Sequence, residues 1–195
     1  MISLYTIALF LHVSGAIGFF LDAGIWLFGL ATLRRAQRVE QVRSILALVA
    51  RSGPIAGISL AVLLVAGFYM VVTAWGFEYD WIRLALLSVV LLVALGGGVI
   101  EPRRRAIARL TSAAPDGALP EPLAQRTQDT VLSMAVYTQV ALLLGIIFLM
   151  TTKPALVGSL VTIAVALALG LVSGWLISRT AHPDARGVAA GANRL

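Results

Sequence analysis

The sequence predicts an all-α, polytopic membrane protein, a transmembrane bundle of five spanning helices with the N-terminus outside and the C-terminus cytoplasmic. Three observations carry this. The 195 residues are 59% hydrophobic and only 12% charged, with a mean hydropathy of +0.94, too few polar groups to coat a water-soluble globule of this size. Uncharged runs of about 20 residues, the length that crosses a bilayer core, recur along the chain. The basic residues fall almost entirely on alternate connections between those runs.

The first run covers about 4–33, with Asp22 its only carboxylate. The second follows "RSGP" and covers 54–77, the third 81–100, the fourth 130–152 and the fifth 154–178. Together they make residues 1–178 one transmembrane domain. Such runs are helical, because a lone strand leaves its backbone groups unpaired in lipid, and the short alternating segments of a barrel are missing. The uncharged opening "MISLYTIALF" and the length of the first run mark an anchor and not a cleaved secretory signal.

Thirteen of the fifteen Lys and Arg residues lie on one side of this topology: Arg34 to Arg51 after helix one, Arg103 to Arg126 between helices three and four, and Arg179, Arg186 and Arg194 after helix five. Only Arg83 and Lys153 lie on the other. Positive charge stays inside, which sets the orientation and places the chain as a multi-pass protein of a cell membrane. The net charge of +6 is explained by these loops, which touch anionic headgroups. No nucleic-acid recognition module accompanies them, so no nucleic acid is expected as a partner.

Residues 103–129, with "TSAAPDGALPEPLAQ", read as a mobile cytoplasmic loop, and 179–195 as a flexible cytoplasmic tail. "AQRVEQVRSILALVA", before Gly53 and Pro54, has helical periodicity and either extends a flanking helix or lies along the interface. There are no cysteines, which excludes disulfides, thiolate metal sites and thiol catalysis. No nucleophile elbow or HExxH motif occurs. Catalytic residues therefore stay unassigned, and any enzyme activity would rest on a bound cofactor.

The polar residues inside the runs are the candidates for function. On a wheel of about 100 degrees per residue, His12, Gly15, Gly18, Asp22 and Gly29 form one stripe, which is expected to pack helix one centrally in the bundle. His12 and Asp22 are about 15 Å apart along the axis, too far to bond directly. Ionisable groups at membrane depth mark ligand, cofactor or proton paths. The structural alternative is a neutral His12 bonded to a backbone carbonyl, with Asp22 protonated or paired near the cytoplasmic arginines. Met70 and Met150 fall at roughly the depth of His12, and thioether with imidazole suits Cu(I), although methionine in an apolar helix also simply packs. Gln139 and Tyr137 in helix four, and Glu101 at the end of helix three, complete an intramembrane polar path with Asp22. Their plainer roles are an interhelical hydrogen bond, a packed ring and a partner for Arg103, Arg104 or Arg105.

Helix five carries Thr162, Ala166, Gly170, Gly174 and Ser178 at a spacing of four. This small-residue ridge packs closely on another helix, either of the same chain or of a second copy, which would make a homo-oligomer or a larger membrane complex. In "GFEYDWIR", with the preceding Trp75, the aromatic side chains Trp75, Tyr79 and Trp81 suit an interfacial belt.

At "LHVSGAIGFF", "VIEPRRRAI" and "FLMTTKP" the chain resembles a family of bacterial predicted integral membrane proteins of unassigned function, from helix one to the start of helix five. The "LHV" of the first helix is also similar to the copper-resistance CopD proteins and the HemJ-type proteins linked to haem synthesis. There a first-helix histidine is implicated in metal or haem chemistry, which implies haem b or copper at His12. Only His12 matches that pattern. His182 lies in the tail, so one chain cannot supply two histidines to a haem, which leaves His12 with an axial methionine, Met70 or Met150, or an open site.

Overall fold

The computed structural model describes residues 2–180. Seven α-helices cover them: α1 (Leu4–Leu33), α2 (Val39–Met70), α3 (Asp80–Ala94), α4 (Glu101–Ala113), α5 (Glu121–Thr127), α6 (Thr130–Thr152) and α7 (Leu156–Thr180). Two wide turns, Val71–Trp75 and Leu95–Ile100, carry hydrogen bonds one residue longer than the α pattern. The first prolongs α2, and the second joins α3 to α4 without a break. Five continuous helical stretches are long and apolar enough to cross a membrane, and they cover the five apolar runs of the sequence except 76–77 and 154–155.

Two of these stretches outrun the bilayer. From Val39 to Trp75 is 37 residues, about 55 Å of helix against a core of about 30 Å. Arg43 and Arg51 therefore ride on a helical extension of α2, the first of the two options for that segment. In the same way α3 continues through Gly96, Gly97 and Gly98 into the arginine-rich α4. The expectation of a loop over 103–129 is thus corrected: α4 and α5 occupy most of it. The reason is local. Glu101 bonds Arg104 and Arg105 at 2.6 Å one turn ahead, the wide turn Leu95–Ile100 leads into Pro102 at the start of α4, and Ile107 and Leu123 are buried beneath. The stretch between α4 and α5 is also tied down, since Val39 donates to the Gly117 carbonyl and Leu119 to that of Gln37, at 3.0 and 3.1 Å.

The helices pack as two close antiparallel pairs, α1 with α2 and α6 with α7, with α3 lying on α6 and α7. Half of the apolar window of α6 is buried, a larger share than in any other span. The central helix is accordingly α6 and not α1, a correction to the sequence expectation. The stripe of α1 is satisfied by one neighbour: a Cβ at Gly15 would come within 2.7 Å of the Ser59 carbonyl oxygen, one at Gly18 would collide with the Ser59 hydroxyl, and one at Gly29 would meet Val49 at 3.0 Å. Every one of these contacts is on α2. Large apolar side chains such as Phe28, Val65 and Val157 point outward, as lipid contact requires.

The ridge of α7 is taken up inside the chain. Cβ atoms at Gly170 and Gly174 would run into the backbone of Thr138 and Met134 on α6, and Ala166 faces Gly145 at 3.1 Å from where its Cβ would be. The small residues allow α6 and α7 to touch backbone to backbone. The ridge is therefore covered by α6 and does not present a surface to a second copy. The tail from 181 onward, including His182, lies outside the described residues.

Candidate functional site

Four helices, α1, α2, α3 and α6, enclose a half-open apolar cavity of about 1310 Å³. His12, Met70 and Met150 all line it. The α1–α2 contact sets the orientation of His12, whose Nδ1 lies 2.9 Å from the Leu63 carbonyl oxygen. Gly67, one turn further along α2, leaves the space that the ring fills, since a Cβ there would stand 2.9 Å from Cε1 and Nδ1. A carbonyl only accepts, so Nδ1 carries the proton and Nε2 keeps its lone pair. Nε2 has no hydrogen-bond partner among the described residues. An imidazole fixed through Nδ1–H to a carbonyl is the tautomer that ligates through Nε2.

Among the described residues no three His, Cys, Asp or Glu side chains come together as a metal-holding group. Any ion at His12 would depend on thioether ligands or on a cofactor's own ligands. Met70 is buried and Met150 half-buried, and the rest of the wall is aliphatic or aromatic apart from Gly67, Thr151 and Lys153.

One end of the cavity is built from aromatic rings around a cation. Lys153 ends α6 with φ 48°, the only non-glycine residue with positive φ among those described. Its Nζ sits 4.1 Å from the centre of the Trp75 ring and 5.8 Å from that of Trp81. Trp75 meets Trp81 edge to face at 5.5 Å and donates through Nε1 to the Tyr5 hydroxyl at 3.2 Å. Trp81 is 9% exposed. These two tryptophans form the mouth of the cavity around Lys153. The sequence shows two tryptophans six residues apart and a sole lysine at 153, but nothing in it brings that lysine to the rings.

The residues of the expected polar path are not on this wall. Asp22 is 5% exposed between α1 and α2, 2.6 Å from the Ser52 hydroxyl. Gln139 is buried in α6 and makes no hydrogen bond among the described residues. Tyr137 belongs to the packed layer near Leu30, Val136 and Leu132. Glu101 is held by Arg104 and Arg105.

Arg34, read in the sequence only as a topology signal, is buried just past the end of α1. Its Nη1 donates to the Ser133 hydroxyl at 2.9 Å and its Nη2 to the Ser178 carbonyl at 3.1 Å, while Gln128 donates to the Arg34 carbonyl at 2.6 Å. One guanidinium thereby ties α1 to the start of α6 and the end of α7. Burial lowers its pKa, with nearby Tyr137 opposing, and arginine starts high enough to stay charged at neutral pH.

Comparison with known proteins gives one match. A family model described as "Predicted integral membrane protein (DUF2269)" matches residues 6–154. No curated protein matches, and no solved structure does. The matched region holds all of α1 to α6 except the first two residues of α1, and with them the cavity, His12, both methionines and Lys153.

Proposed function

The chain belongs to this family of predicted integral membrane proteins, and within it we propose that the protein is redox-linked or metal-linked, binding haem b or copper at His12 inside the bilayer. The carrying observation is the 2.9 Å contact of Nδ1 with the Leu63 carbonyl, which leaves Nε2 free on the wall of an apolar cavity shared with Met70 and Met150. Imidazole with thioether ligands favours Cu(I), and His with Met is an axial pair for a haem iron. Either group would supply one-electron chemistry. The chain's own contribution is to fix the imidazole, exclude water and offer the second ligand.

Absorption spectra and metal analysis of gently purified protein test the reading. Wild type is expected to take up haem, with a Soret band, or one Cu(I). His12→Ala loses the binding, and Met70→Leu or Met150→Leu weakens it. A wild-type preparation that binds neither haem nor copper overturns it.

A second reading, transport of a small solute or proton, is favoured by one feature, the carboxylate of Asp22 enclosed at membrane depth. Its support is narrower, because Asp22 faces Ser52 and not the cavity. Flux into vesicles that falls in Asp22→Asn with folding intact would favour it. Unchanged flux in both Asp22→Asn and His12→Ala would count against it.

A further inference from the structure

We propose that the cavity holds a glycerophospholipid with an anionic headgroup, its headgroup on Lys153 at the mouth and an acyl chain in the apolar slot. The proposal is carried by features of the cavity other than His12, although a haem held at His12 would share the slot with the acyl chain. Its first ground is shape. The wall runs along α1 from Tyr5 to Leu21, sixteen positions further on, about 24 Å of helix, and is apolar down to Leu92 and Leu143. That is an elongated slot, suited to an extended hydrocarbon chain lying along the bilayer normal.

The second ground is charge. Two basic residues lie at this end of the bundle, and they differ in how they are satisfied. Arg83 donates to the Phe77 carbonyl at 2.7 Å and pairs with Asp80 at 3.7 Å. Lys153 has neither a carboxylate nor a hydrogen-bond acceptor among the described residues. Its ammonium rests on the Trp75 face, which positions a cation without neutralising it. Three N–H donors therefore remain for a ligand.

The third ground is backbone strain at that residue. A left-handed residue closing a helix is usually glycine, which adopts it freely. A lysine there carries a conformational cost of the kind found at ligand sites, and the return is the placement of Nζ between the rings. A cation at one end of a dry slot complements an amphiphile whose single charged end is negative. A zwitterionic lipid would bring its own cation to the same mouth and gain less.

The test uses full-length protein in nanodiscs of mixed phosphatidylglycerol and phosphatidylcholine, released into mild detergent and weighed by native mass spectrometry. Wild type is expected to retain phosphatidylglycerol over phosphatidylcholine by about fivefold, the order expected for one cation at an anionic headgroup. Lys153→Gln keeps the side-chain shape and the backbone strain and is expected to lose that preference, whereas Lys153→Arg keeps it. Ala85→Phe fills the slot and is expected to lower retention of both lipids. Absorption spectra and metal content of the same wild-type preparation are read alongside, so failure of the haem or copper reading is visible separately. Equal retention of the two lipids by wild type, or an undiminished preference in well-folded Lys153→Gln, overturns the proposal. If Lys153→Gln does not fold, equal retention by Lys153→Arg and Ala85→Phe overturns it on its own.

Discussion

The Ser52 hydroxyl lies 2.6 Å from Asp22 Oδ1 and 2.9 Å from the carbonyl oxygen of Val49. A hydroxyl has one proton to give, so it cannot donate to both. Both contacts are satisfied at once when the carboxyl carries its own proton, donates to Ser52, and Ser52 donates onward to Val49. No ion pair reaches Asp22 among the described residues. On these grounds Asp22→Asn, which keeps a donor in place, is expected to change stability by no more than about 1 kcal/mol. Asp22→Leu leaves Ser52 its Val49 bond and is also mild unless the larger side chain is overpacked. Thermal unfolding in detergent at neutral pH checks this. A loss of several kcal/mol in Asp22→Asn would show an ionised, paired carboxylate instead.

Arg34 is expected to behave in the opposite way. It is 8% exposed and is the one side chain that bonds α1, α6 and α7 together. Its removal strands the Ser178 carbonyl at the end of α7. Arg34→Ala is expected to cost about 3 kcal/mol, the range for buried bonds to a charged group. Arg34→Lys should recover only part, because an ammonium cannot span the same forked geometry. The same unfolding measurement reads both. Equal stability of wild type and Arg34→Ala would mean that the three helices hold together by packing alone.

The contrast between these two residues shows what was legible in the sequence. The five spans are visible because lipid demands long uncharged runs, and the depth of His12, Met70 and Met150 follows from counting along a helix. That they share one cavity wall is a matter of packing and needed the structure. Arg34 looked like one more basic loop residue, since nothing local distinguishes it from Arg35, which is exposed. The prolines and glycine of "TSAAPDGALPEPLAQ" likewise disguise α4: they read as a loop over 103–129, whereas the Glu101 bonds and the buried Ile107 make a helix of Glu101–Ala113. Lys153 was weighed only for the side of the membrane it occupies, and its place over Trp75 depends on a left-handed backbone that no periodicity reveals. Gln139 was legible as buried and polar, but not its lack of a partner.

The glycines separate by what lies over them. At Gly170 and Gly174 a side chain would meet the α6 backbone, which cannot rotate away. Gly174→Ala or Gly170→Ala is expected to destabilise the α6–α7 pair by about 3 kcal/mol, as overpacking against rigid neighbours does. Gly97 and Gly57 have open space around a would-be Cβ, and alanine there is expected to be neutral or slightly stabilising. Gly18 is intermediate, because the group in its way is the Ser59 hydroxyl, part of a side chain that can turn. Unfolding midpoints of the five variants give the order directly. A stable Gly174→Ala would mean that α7 is not seated on α6 as described.

Orientation is the remaining prediction, and the absence of cysteine makes it clean to test. The bundle has two chemically different ends. One carries Arg34, Arg43, Arg103, Arg104 and Arg105 with the connection at 114–120, and the other carries Trp75, Tyr79, Trp81 and Lys153. The basic end belongs in the cytoplasm by the positive-inside rule, and the long arginine-bearing extensions of α2 and α4 would then stand in the cytoplasmic headgroups and water. A single engineered cysteine at Glu78 is expected to react with a membrane-impermeant thiol reagent in intact cells. One at Pro115 should react only after the membrane is opened. Both positions lie in short connections away from the buried layers, so neither should disturb folding. The reverse pattern of labelling would invert the bundle and place His12 and the mouth of its cavity on the cytoplasmic side.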